Sequence, residues 1–151
     1  MRMAHRQGLF GRGGSNYLFK DGVINNQVWT GSNGTYSDYR ITDVLHVDLT
    51  IPAGDVASAG NAALVWQGNL SKVTTLHFLA KSWHYYDSTA PNIRVNGNYV
   101  TIPPSGANYE LTYDLSQLAD RANVTILIQS GRVQGAGLKQ AGIEVSKVWA
   151  T

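Results

Sequence analysis

From residue 17 onward, apolar and polar residues alternate in short runs, and this period of two constrains the fold more than any other feature of the chain. In "VLHVDLTI" one face carries only apolar residues: Leu45, Val47, Leu49 and Ile51. Pro52 follows and ends the run. Such alternation is typical of strands that bury one face, so the sequence predicts an all-β protein.

Similar runs predict about eight to ten short strands separated by turn signals. The strongest signal is Asn96-Gly97 in "NIRVNGNYVTI", because both residues tolerate the positive φ of a two-residue hairpin turn. Asp21-Gly22 is a second hairpin dipeptide. Only "DLSQLADRA", residues 114–122, has helical character, for a turn or two. The sequence therefore predicts an antiparallel β-sandwich of jelly-roll-like type with little helix.

The predicted core follows from the same alternation, because side chains two positions apart share one face of a strand. In the run from 73 to 83 both faces are partly apolar, which indicates a central strand covered on both sides. The residues expected to be buried are Leu45, Val47, Leu49, Leu76, Phe78, Leu111, Val124, Ile126, Ile128 and Val145.

The first sixteen residues, "MRMAHRQGLFGRGGSN", differ from the rest of the chain and predict an N-terminal arm ahead of a sandwich domain at 17–151. The arm is basic and glycine-rich and has no strand or helix period. Ordering such a segment costs backbone entropy that one small domain offsets poorly, so we expect it to pack on another subunit. The residues expected to make that contact are Arg2, Arg6, Leu9, Phe10 and Arg12.

Composition excludes several classes of protein. The chain has no cysteine, so disulfides and thiolate metal sites are excluded. Its net charge of +2 is too small to predict nucleic-acid binding. No apolar run reaches the roughly 18 residues of a membrane span, so no membrane insertion is expected. Charged residues make up only 15% of the chain, which suits a surface that packs against neighbours.

No motif of catalysis or metal binding is present. The histidines lack metal-ligand spacing, and no nucleophile stands in a known spacing from a base. His46 and His77 fall on the polar side of predicted strands, where a solvated or sheet-surface role is expected. The sequence predicts no catalytic residue, no metal and no cofactor, and hence a protein that is not an enzyme.

One aromatic stretch is a candidate ligand or interface site. "SWHYYD" places four adjacent ring-bearing residues and a carboxylate where a strand runs into a loop. Three interpretations stay open: packing at the end of the sandwich, contact with another protein, or stacking of a sugar ring on an exposed aromatic face. The candidate residues are Trp83, His84, Tyr85, Tyr86 and Asp87.

Two segments of the chain resemble accessory β-sandwich modules of tailed-bacteriophage virions. One is "NYLFKDGVINNQVWTG", a short strand, a turn and a second strand leading to a polar loop. The other is "YELTYDLSQLADRANVTILIQSG" together with the closing "GIEVSKVWA". Carbohydrate-binding jelly rolls have similar segments. The resemblance covers about half of the chain and carries over no catalytic residue.

The resemblance implies a structural subunit such as a head-decoration, neck, baseplate or tail-fibre protein. Its partners would be other virion proteins and copies of itself, with a host surface glycan as a further partner. The protein would fold in the host cytoplasm and reside in the virion. A carbohydrate-binding module that recognises host glycans through exposed Trp or Tyr is the alternative function.

Overall fold

The protein is an antiparallel β-sandwich in the computed structural model, which describes residues 16–20, 23–24, 29–51, 56–59, 61–85, 91–103, 105–131, 133–136 and 139–151. This confirms the predicted fold class. The segment expected to be helical contains only a 3₁₀ turn at Leu115–Gln117, in which the Ser116 backbone amide donates to the Asp114 carboxylate. The described residues contain no helix long and apolar enough to cross a membrane.

Fourteen strands lie within the described residues, more than the eight to ten expected. In chain order they are β1 (Asn16–Lys20), β2 (Val23–Ile24), β3 (Thr30–Ser32), β4 (Ser37–Ile41), β5 (Leu45–Ile51), β6 (Val56–Ala59), β7 (Ala63–Gly68), β8 (Thr75–Tyr85), β9 (Asn92–Val95), β10 (Asn98–Val100), β11 (Tyr109–Asp114), β12 (Val124–Gln129), β13 (Val133–Ala136) and β14 (Lys139–Ala150).

The C-terminal strand β14 is the centre of the larger sheet. One of its edges pairs with β8, and its other edge pairs with β5 at residues 139–145 and with β1 at 147–150. Strand β11 extends the sheet beyond β8, while β4 extends it beyond β5 and β2 beyond β1. Strand β8 therefore lies between two partners, which confirms the central position predicted for it.

The smaller sheet has the order β10-β9-β12-β7-β3 and covers the inner face of the larger one. From β7 to β12 the chain crosses between the two sheets four times, with only the β9–β10 hairpin staying in one sheet, a connectivity typical of jelly-roll-like sandwiches. Nine of the ten predicted core residues are buried, and Leu111 packs partly buried against the same cluster. The period-two pattern thus gave the correct register for these strands.

Three features of the sheets were not predicted. Strand β4 (SDYRI) has only two apolar residues, Tyr39 and Ile41, which pack partly buried against the core. The separate β6–β13 pair lies in segments rich in small residues. In β14 a bulge between Val145 and Lys147 shifts the register, so that Val145 and Val148 both face the core.

Strand β1 begins at Asn16, the last residue assigned to the arm. The pairing Lys20–Val23 leaves only Asp21-Gly22 between β1 and β2, which confirms the two strands predicted on either side of this dipeptide.

The Asn96-Gly97 turn has the predicted geometry, with φ of 48° at Asn96 and 83° at Gly97. We expect Gly97→Val to lower the free energy of unfolding by about 1 kcal/mol or more, because a β-branched residue is strained at positive φ. Gly97→Asn is the control, since asparagine tolerates this region. Equal chemical-denaturation midpoints for the two variants would contradict the assignment.

Candidate functional site

The outward face of the larger sheet, which points away from the smaller sheet, carries a row of paired charges. Register places Arg40 of β4, His46 of β5, Glu144 of β14 and Lys81 of β8 side by side. Lys81 Nζ lies 3.0 Å from Glu144 Oε2. We call these four residues the charged row; it joins the neighbouring strands β4 and β5 to β8 and β14, which are distant from them in sequence.

His46 is the most buried member of the charged row, with its side chain only 8% exposed. Its Nδ1 lies 3.1 Å from Glu144 Oε1, and its Nε2 lies 3.1 Å from Asp48 Oδ2 and 2.8 Å from Arg40 Nη2. A neutral ring can donate from Nδ1 to Glu144 and accept at Nε2 from Arg40, whereas a protonated ring donates to both carboxylates. Of the two roles expected for His46, solvated or sheet-surface, the structure shows the second: it lies on the sheet surface, and its neighbours cover it.

Asp48 also contacts His46, and we call His46 with Asp48, Arg40 and Glu144 the His46 cluster. Its hydrogen bond with His46 lowers the pKa of the carboxyl below the ordinary value of 3.8, and the charges of His46 and Arg40 act in the same direction. Because the folded-state pKa is depressed, the stabilisation is present above the unfolded pKa and is lost as the pH falls through the folded one.

We expect Asp48→Asn to reduce the free energy of unfolding at neutral pH and to flatten the loss of stability below about pH 3.8. The measurement is chemical unfolding at a series of pH values, with the exposed Asp43→Asn variant as the control. Identical acid profiles for wild type and Asp48→Asn would refute the contribution of this carboxylate.

Trp83 lies beside the charged row, over the backbone of β14. A Cβ on its partner Gly142 would lie 2.3 Å from the indole Cζ2, so only glycine leaves room for the ring. The ring centroid of Trp83 is 5.9 Å from that of His46. Trp83 therefore shields the His46 cluster, and one face of its ring is already covered by protein.

The predicted SWHYYD site is not brought together as one platform. Trp83 and His84 are successive residues of β8, and alternation directs them to opposite faces of the sheet. Both are half-buried. The backbone of Tyr85 pairs with Gln140 at the end of β8, but its side chain, Tyr86 and Asp87 lie outside the described part of the chain. Sugar stacking on this stretch stays a prediction.

A second row on the same outward face is aromatic, and sequence reasoning missed it. His77 stacks in parallel on Trp149 with centroids 4.9 Å apart, and Trp149 lies 6.3 Å from Tyr17. Lys20 Nζ is 4.7 Å from the Tyr17 centroid, a cation–π contact. We call Tyr17, Trp149 and His77 the aromatic row. The sequence offered one indication of this row, Trp149 in the last strand. Its position beside Tyr17, however, depends on the pairing of β1 with β14, which the sequence pattern does not reveal.

The other predicted site residues, Arg2, Arg6, Leu9, Phe10 and Arg12 of the arm, lie outside the described residues. Within the described ranges, no group of three or more His, Asp and Glu side chains is arranged to hold a metal ion. No protein-family model matches the chain, and a search of curated proteins gave no match either. The protein is thus an antiparallel β-sandwich whose larger sheet carries two rows of interacting side chains, one charged and one aromatic, on its outward face.

Proposed function

We propose that the protein is a non-enzymatic structural subunit that contacts copies of itself through the outward face of its larger sheet and through its arm. On the resemblance given above, we propose that it belongs to a tailed-bacteriophage virion. The observation that carries the contact proposal is the aromatic row. A sandwich alone in water normally presents polar residues on its outer faces, whereas this one places Tyr17, Trp149 and Leu79 there, half-buried.

The charges of the charged row are matched in a way that suits contact with a second protein. Lys81 is paired with Glu144, and Arg40 lies 3.7 Å from Asp48. Pairs that already satisfy one another present little net field to repel an identical surface. Aromatic side chains are enriched at the centre of protein interfaces, and polar groups form the rim.

The chemistry of His46 also supports a structural role. Both ring nitrogens are engaged by protein groups, and Trp83 lies against the ring. A general base needs a nitrogen that a substrate or water can reach. The Asp48–His46–Glu144 arrangement leaves none, so these contacts, together with Arg40, serve to hold β4, β5 and β14 in register.

Sedimentation velocity of the full chain over a range of concentrations tests the proposed self-association. The wild type is compared with two variants, each of which carries one new glutamate on the outer face of one sheet. Leu79 lies on the outward face of β8 between the two rows, and Leu127 is its half-buried counterpart on the outer side of β12. We expect the wild type and Leu127→Glu to self-associate and Leu79→Glu to remain monomeric. A wild-type monomer at every concentration, or equal loss of association in both variants, would refute the proposal.

The arm has a separate test. Strand β1 leaves the sheet at Asn16, which pairs with Ala150 next to the aromatic row, so an arm would begin beside the proposed contact face. Deletion of residues 1–14 is expected to leave the melting temperature near that of wild type, because the sequence predicts that they are an arm outside the sandwich domain. The same deletion should abolish self-association and incorporation into the particle. Equal incorporation of the truncated and full chains would contradict this role.

A further inference from the structure

The smaller sheet carries a groove that is distinct from the proposed contact face. It lies where β9, β10 and the end of β12 meet and has a volume of about 470 Å³. Apolar groups form much of its lining, and the polar groups relevant to binding are Asn61, Asn92, Arg94, Tyr99, Thr101 and Gln129. Among the lining residues that the structure describes, Arg94 is the one that carries a charge.

Arg94 is held in place before any ligand arrives. Its guanidinium carbon lies 4.6 Å from the centroid of the Tyr99 ring, and its Nε donates to Asn92 Oδ1 at 3.1 Å. These contacts leave both terminal nitrogens for a ligand, and among the residues that the structure describes no carboxylate pairs with Arg94. A positioned guanidinium of this kind binds a carboxylate through two parallel hydrogen bonds.

Two further observations point to a ligand. Tyr99 is 65% exposed, which makes it the most exposed large apolar side chain of the described residues. Asn61 Oδ1 is buried and accepts no hydrogen bond from the described part of the protein. A buried acceptor without a partner is unfavourable, and a hydroxyl group in the groove would satisfy it.

We propose that this groove binds an acidic saccharide, a pyranose that bears a carboxylate. The carboxylate pairs with the terminal nitrogens of Arg94, and an apolar face of the sugar lies near Tyr99. Hydroxyl groups bond to the amides of Asn61, Asn92 and Gln129 and to Thr101. The amide groups of the described lining can each donate and accept hydrogen bonds, which suits the hydroxyl groups of a sugar. The inference is independent of the proposed self-association, since its residues lie on the other sheet.

The experiment is a titration of the full chain, followed by NMR, with acidic saccharides and their neutral methyl esters. The probes are oligogalacturonate, methyl glucuronide and sialyllactose. We expect at least one acid to bind, to shift the amides of residues 92–102 and 129, and to bind about ten-fold or more tightly than its ester. Failure of all three acids to bind, or equal binding of acids and esters, would overturn the proposal.

Variants localise the site. Arg94→Gln and Tyr99→Ala are each expected to weaken binding of the acid by about ten-fold or more. Lys72→Gln and Tyr109→Ala are the matched controls, a lysine and a tyrosine exposed elsewhere, and should leave binding unchanged. If Tyr99→Ala fails to fold, Arg94→Lys still tests the site. The lysine keeps the positive charge but lacks the planar guanidinium, so this variant should bind the acid more weakly while its melting temperature stays unchanged. Full binding by Arg94→Gln would overturn the proposal, and none of these variants should alter sedimentation.

Discussion

Phe78→Ala is expected to lower the free energy of unfolding by about 3–5 kcal/mol, the largest effect of any substitution considered for this protein. Phe78 is fully buried on β8, where it pairs with Leu111 of β11 and Val148 of β14. Truncation would leave a cavity in the core between the two sheets. Chemical denaturation monitored by circular dichroism gives the value.

The adjacent residue provides the control. Leu79 lies on the outward side of the same strand and is half-buried, so Leu79→Ala should cost only about 1 kcal/mol in the isolated chain. The two substitutions differ by one position, and a slip of one residue would exchange their faces. Similar losses for both variants would mean that the register of β8 is wrong.

Gly142→Ala is expected to destabilise the protein by about 1–3 kcal/mol, because the new methyl group would overlap the Trp83 ring that now lies on this glycine. To make room for the methyl group, the ring must move away from Gly142 and so from its present position beside His46. The tryptophan fluorescence should therefore change as well. Denaturation and emission spectra measure the two effects.

A double-mutant cycle with Trp83→Ala isolates this contact. Without the indole the methyl group has room, and alanine then reduces the entropy of the unfolded chain relative to glycine. Gly142→Ala should therefore be neutral or stabilising in the Trp83→Ala background. Simple additivity of the two losses would show that the ring does not rest on Gly142.

The fold could be predicted from the sequence because burial of one sheet face produces alternation that is visible locally. Strands β5 and β12 show it plainly, and the Asn96-Gly97 turn requires only two residues of particular chemistry. Strand β4 escaped prediction because its apolar alternation is only two residues long, Tyr39 and Ile41, although both pack against the core. Local pattern therefore found the strands with several apolar residues on one face and missed those with few.

The surface sites depend on contacts that sequence spacing hides. His46 meets Glu144 across 98 positions, and the aromatic row joins the first described strand to the last. The site predicted from "SWHYYD" assumed that neighbours in sequence share a surface, but β8 directs Trp83 and His84 to opposite faces. One contact was within reach of sequence reasoning: a two-residue turn at Asn96-Gly97 places Arg94 opposite Tyr99.

The central proposal is that the outward face of the larger sheet becomes covered when the subunit assembles. Hydroxyl-radical footprinting of the assembled and isolated protein tests it directly, because oxidation of aromatic side chains follows their exposure. We expect Tyr17, Trp83 and Trp149 to be oxidised more slowly in the assembly, while Tyr99 on the smaller sheet keeps its rate. Unchanged rates at the first three residues, or protection confined to Tyr99, would contradict the proposal.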